Sequence, residues 1–312
     1  MRALIFSALA LALTGTTTPA DAQALNDALQ NYAAFESDVS ALMDAEITSP
    51  AIMNDALDRA ARHDSRALVS GWIAYGAVTA AQSPAFVVGV RNRVRAAGRP
   101  AVLRQLLRDT TYARRRPPGA TEAVQLTLNT LTADGARLDA AAQRFQVFGD
   151  TERGNAWNAS EAERDARGQH LRESAAQRQS VAPELAAHLS IAALAGAPLT
   201  DADAIGGRRF WDAATGRSSP TLPAQTLSVR DDRAAALDQM LTLAALIVVE
   251  GADSNATRVS ALLEYRPVRD CLALQQLEFR QCVSVAHDAT EDGLCLARHG
   301  LEAPGACLAI TR

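Results

Sequence analysis

An all-α fold is predicted by three observations: 66 of the 312 residues are Ala, aromatic residues make up only 4%, and apolar residues recur at helical spacing. Alanine has the best helix propensity, whereas strands prefer β-branched and aromatic side chains. The expected architecture is an irregular multi-helix array, a bundle or short α-solenoid, ending in a disulfide-stapled helical hairpin. Hydrophobic residues make up 48%, charged residues 21%, and the net charge is −4. That composition fits a globular chain of one large or two modest domains, and neither a disordered segment nor a polycation seeking nucleic acid.

Residues 1–22 read as a secretory signal peptide: Met1-Arg2 is a minimal positive start, Ala3 to Leu13 an apolar run, and Ala20-Asp21-Ala22 a small-x-small cleavage site. The run falls short of the roughly 20 apolar residues that a membrane span needs. Met240 to Val249, the other long apolar stretch, is again half a span and reads as a buried helix. A mature chain from Gln23, without a membrane span, in the periplasm or outside the cell, is therefore expected.

The mature chain divides into an N-terminal helical domain (23–150), a charged linker or solvated helix (151–182) and a C-terminal helical domain (183–312). Leu25, Leu29, Tyr32, Phe35, Val39 and Leu42 alternate steps of four and three, the stripe of one helix. Ser49-Pro50 and Ser83-Pro84 each pair an N-cap with proline at the first helical position, and Gly98-Arg99-Pro100 opens a further helix. Leu68 to Val78 is apolar nearly all round, as a central buried helix must be. Arg114 to Gly119, with two prolines and a glycine, stops the helical pattern. Ala120 to Phe148 resumes it, with Gly135 a point of division. In the second half, Pro183 to Ala195 reads as helix, Ala197 to Leu227 as loop, and Val229 to Val249 as a strong helix ended by Gly251.

All four cysteines lie in the last 42 residues, and an even count in an exported chain points to two disulfides. If Pro267 to His287 is helical, Cys271 and Cys282 share a face yet sit roughly 16 Å apart along the axis. A disulfide needs Cα atoms within about 7 Å, so the two cannot join each other. A return segment after a turn at Asp288 to Gly293 sets Cys295 against Cys282 and Cys307 against Cys271. Leu272, Leu274, Leu277, Phe279 and Val283 give this hairpin (267–312) an apolar face. The C-x10-C-x12-C-x11-C spacing has neither the short ligand pairs of a zinc site nor the C-x-x-C of an oxidoreductase.

All 31 basic residues are Arg. Schiff-base chemistry, a Ser-Lys dyad and a P-loop each need a lysine and are excluded. The five histidines, His63, His170, His188, His287 and His299, show no ligand spacing, so neither a metal nor a cofactor is implied. The densest ionisable group is His287, Asp288, Glu291 and Asp292, with His299 on the return segment; a polar turn is the alternative. No G-x-S-x-G elbow occurs. Arg114, Arg115 and Arg116 are candidates for anion binding or simply a solvated loop. Trp157 and Phe210-Trp211-Asp212 offer a sugar or peptide surface, or anchors to the core. Glu36-Ser37 resembles the Glu-Ser pair of lytic transglycosylases over those two residues, without the glycine-rich continuation; its simpler reading is the polar flank of an amphipathic helix. The expectation is a non-enzymatic binding or envelope-support protein whose partner is an envelope protein or glycan, the alternative being an envelope hydrolase acting on peptidoglycan or peptide.

Overall fold

Side-chain caps start the early helices where the sequence places them. In the computed structural model, which describes residues 20–151, 157–158, 160–175, 181, 183–189, 199, 209–216, 218–223, 225–252 and 255–312, α1 spans Ala20–Met43. The expected signal peptide thus falls outside the described residues except for Ala20 to Ala22, in the first turn of α1. Ser49 Oγ accepts from the Ile52 amide to start α2 (Pro50–Ala61), and Asp64 accepts from Ala67 to start α3 (Ser65–Ala81). Ser83 accepts from Phe86 to start α4 (Pro84–Ala97). Capping of this kind satisfies amides that have no partner within the helix and is worth about 1 kcal/mol. Next come α5 (Arg99–Arg108), α6 (Tyr112–Arg115) and α7 (Ala120–Thr151).

The expected division at Gly135 does not occur, and α7 runs unbroken for 32 residues. A lone glycine costs a helix only about 1 kcal/mol, and the buried stripe Leu128, Leu131, Leu138, Ala141 and Phe145 outweighs it. Of the charged stretch 151–182, Glu161–Ala175 forms α8, largely exposed. Pro183–His188 forms α9, and the rest of the helix expected to Ala195 lies outside the described residues. Within the expected loop 197–227, Phe210–Thr215 forms a short helix, α10.

A 3-10 turn (Asp231–Arg233) leads into α11 (Ala234–Val248), followed by α12 (Ala256–Leu262) and α13 (Arg266–Val285). The return leg is α14 (Ala289–Cys295), a π-helical turn (Leu296–Glu302) and α15 (Ala303–Leu308). No strand occurs among the described residues; two isolated bridges join Asn158 to Asp288 and Val229 to Thr311. Helix α3 is the centre, buried from Leu68 to Ala80 apart from Ser70, with α1, α7 and α11 packed on it. Gly71 permits the closest approach, since a Cβ there would lie 2.7 Å from the Ala28 carbonyl oxygen of α1. One contiguous set of buried apolar side chains runs from Leu25 to Ile310 and draws on both halves of the chain.

The hairpin is stapled as the spacing predicts, by Cys271–Cys307 (Cα–Cα 5.8 Å) and Cys282–Cys295 (5.6 Å). Disulfides of this kind belong to an oxidising compartment. Leu272, Phe279 and Val283 are buried, but Leu274 and Leu277 are about half exposed, contrary to the expected apolar face. At 100° per residue Leu274 lies about 200° round the helix from Leu272, on the side away from the core. Among the described residues no single helix is long and apolar enough to cross a membrane.

Candidate functional site

A capping box starts α8, and backbone contacts tie the residues before it to the start of α14. Ser160 donates through its amide (2.8 Å) and hydroxyl (2.7 Å) to Glu163 Oε2, and its Oγ accepts from the Glu163 amide (3.3 Å). This capping box fixes the entry of α8. The Ala289 amide donates to the Trp157 carbonyl (3.2 Å), and Asn158 forms its bridge with Asp288, so the residues before α8 are tied to the hairpin turn. Asp288 in turn caps α14, accepting from the amides of Thr290 and Glu291.

Between α2, α8 and α14 lies a cleft of about 420 Å³. Its apolar wall includes Met53, Leu171 and Trp157. Its inner polar wall is an ion pair, Arg167 Nη1 to Asp292 Oδ2 at 2.5 Å. The second Arg167 amino group donates to the carbonyls of Val283 (3.2 Å) and Ala286 (3.5 Å), where α13 runs out of intrahelical donors. Each partner keeps one buried polar atom unmatched: Arg167 Nε and Asp292 Oδ1. The Asp292 side chain is only 3% exposed. Burial pushes its carboxyl up to about 7 against the pull of Arg167, with Asp288 and Glu291 adding to the rise. On the rim, His170 Nε2 stands 3.2 Å from Asp58 Oδ1.

The expected ionisable cluster divides among separate surroundings. His287 is exposed and pairs with Glu291 (3.2 Å); Asp288 is a helix cap; Asp292 turns inward to Arg167. His299 lies across the hairpin with Nδ1 3.5 Å from Glu278, lining a space of about 20 Å³ with His63. His63 itself is held by Asp38 (2.8 Å), which Arg59 and Arg62 also bind. Although burial works the other way, the hydrogen bonds from His63 and Arg62 hold Asp38 below the usual carboxylate range. The triple arginine also separates: Arg114 bonds Asp238 through Nε (2.6 Å), while Arg115 and Arg116 are exposed.

Glu36 departs from the polar-flank reading. It is fully buried because α1 is covered by both α3 and α7, leaving that side no solvent. Arg137, 1% exposed, bonds Glu36 Oε2 (3.1 Å), Asp212 Oδ1 (3.1 Å) and Ser219 Oγ (2.7 Å). Tyr32 donates to Asp134 Oδ2 (2.9 Å), and Tyr32, Tyr75 and Trp211 pack against one another. Burial and the nearby Asp134 push Glu36 up to about 8 against Arg137, and burial pushes Asp134 up to about 7 despite the Tyr32 hydrogen bond. The cavity beside Asp134 measures about 10 Å³, too small for a substrate. These groups fasten α1, α7 and α10 together, so Trp211 and Asp212 are anchors while Trp157 faces the cleft.

Sequence reasoning passed over Arg137 and Asp134 in the core and Arg167 in the cleft. Asp134 and Glu36 had a visible signal: each stands at core spacing, between Leu131 and Leu138 and between Tyr32 and Val39. Comparison with protein-family models, curated proteins and solved structures finds no match to this chain.

Proposed function

We propose that this chain is an exported, non-catalytic binding protein of the cell envelope, and that the cleft between α2, α8 and α14 takes a fragment of an envelope glycan. The observation that carries this reading is the Arg167–Asp292 pair, which lines a 420 Å³ cleft and keeps one buried donor and one buried oxygen unmatched. That volume lies in the range of small-ligand sites, about 300–1,000 Å³. A hydroxyl oxygen both accepts and donates, so it serves Arg167 Nε and Asp292 Oδ1 in either protonation state of the carboxyl. Trp157 supplies an apolar face for a sugar ring beside them. Export is supported by the N-terminal sequence and by the two disulfides.

Trp72 and Trp211 are buried, so tryptophan fluorescence that responds to a cleft ligand reports chiefly on Trp157. Titration with soluble peptidoglycan fragments and N-acetylglucosamine oligomers is expected to give a saturable change, absent in W157F and weakened in D292N. No response to either glycan would overturn the reading.

The hydrolase alternative is favoured by one observation, a carboxyl poised near 7 in a cleft. The second carboxylate lining the cleft, Glu163, is occupied by Ser160, and glycoside hydrolysis uses two carboxylates. Release of soluble fragments from peptidoglycan by the wild-type chain but not by D292N would establish catalysis instead.

A further inference from the structure

Between Pro84 and Gly119 the chain carries nine arginines and one acidic residue, Asp109, a charge of +8 within a protein of −4, leaving −12 on the remainder. Helices α4, α5 and α6 each pack on α11, and α5 packs on both of the others, so the three are neighbours at one place on the molecule. Arg91 and Arg95 stand one turn apart on α4, and Arg104 and Arg108 one turn apart on α5, all four exposed. Arg93 donates to the Arg116 carbonyl (2.9 Å), tying the end of α6 to α4. Like charges one turn apart destabilise a helix. Elsewhere eight arginines meet carboxylates: Arg59, Arg62, Arg137, Arg167, Arg230, Arg233, Arg269 and Arg312. Here, among the described residues, only Arg114 forms an ion pair, and Asp109 Oδ1 is taken by Thr111.

We propose that the α4–α6 face is a docking surface for an anionic lipid bilayer, its exposed guanidinium groups meeting headgroup phosphates. Guanidinium forks match phosphate oxygens, and the strongly negative remainder of the molecule turns the basic face toward such a surface. Val88, 55% exposed, lies on the same side of α4 as Arg91 and Arg95, an apolar contact at the level of the headgroups. Nucleic acid is disfavoured because single-strand binding adds aromatic stacking. The aromatics of this stretch are Phe86, fully buried, and Tyr112, packed against the core. The face is separate from the cleft, whose lining takes no residue from α4, α5 or α6.

The test is co-sedimentation of the full chain with vesicles of phosphatidylcholine alone and of phosphatidylcholine with phosphatidylglycerol. Binding is expected to the anionic vesicles only and to weaken as salt rises. Each arginine near an anionic surface contributes about fivefold, so R91Q/R95Q/R104Q/R108Q is expected to lose several hundredfold. If that variant fails to show the wild-type circular dichroism, R104Q/R108Q tests the same claim with a loss of about 25-fold. Equal binding to both vesicles, wild-type binding by a correctly folded variant, or binding to a single-stranded RNA oligonucleotide without binding to vesicles would overturn the proposal.

Discussion

Removing the two disulfides separately, by C271A/C307A and by C282A/C295A, is expected to cost unequal amounts of stability. The bridges close loops of 36 and 13 residues, one nested inside the other. In the chain-entropy account these loops alone are worth about 3.8 and about 2.9 kcal/mol at 25 °C. Nesting changes both figures. With the inner bridge intact, the outer closes an effective loop of about 24 residues, worth about 3.4 kcal/mol. With the outer intact, closing the cycle leaves the inner worth about 2.5 kcal/mol. Loss of sulfur packing adds a similar amount to each, so the outer pair should cost about 1 kcal/mol more than the inner, and all four alanines about 6 kcal/mol or more. Equilibrium urea unfolding without reductant measures the three differences. An inner bridge that matters more than the outer, or two bridges that each contribute under about 1 kcal/mol, would refute the reasoning.

Burial raises the Glu36 carboxyl from its ordinary 4.5 to about 8, so the folded state holds a proton that the unfolded chain releases. Its contribution to stability is full below pH about 4.5 and is lost as pH rises through about 8. E36Q should therefore match the wild type near pH 4.5 and exceed it by a few kcal/mol above pH 8, read from urea midpoints; a difference independent of pH would contradict the assignment. R137M leaves Asp212 without its cation, and Glu36 and Ser219 without their shared donor, and should cost about 3–5 kcal/mol by the same measurement. G71A drives a Cβ into the Ala28 carbonyl and should destabilise by about 1–3 kcal/mol, whereas G135A, with open space around the added methyl, should stabilise by about 0.5–1 kcal/mol. Thermal melts of the two glycine variants, moving in opposite directions, check the pair.

The elements that sequence reveals here are those whose signal is local. Ser49, Pro50, Ser83 and Pro84 announce helix starts through their own chemistry, and the cysteine spacing fixes the pairing because an α-helix fixes distance along its axis. What escapes is set by neighbours distant in the chain. Glu36 stands at core spacing, yet its charge reads as a surface residue until α3 and α7 cover both sides of α1. Arg167 looks like one more arginine on a polar helix, and only the packing of α8 against α13 and α2 brings it to Asp292. Leu274 and Leu277 mislead in the other direction, since leucine content alone does not say which side of α13 meets the core. Of the expected cluster, Asp292 alone lines the cleft, because a two-turn helix capped by Asp288 points its fourth residue inward while leaving Glu291 and His287 in water.

The most direct test of the cleft is the titration of the Asp292 carboxyl, followed by carbon-13 NMR with D292N to assign the signal, in the free protein and with saturating peptidoglycan fragments. Burial predicts a midpoint of about 7 in the free protein, and a hydroxyl bridging Asp292 Oδ1 and Arg167 Nε predicts that the midpoint moves when the fragment binds. A midpoint in the ordinary carboxylate range, unchanged by any fragment, would contradict the account.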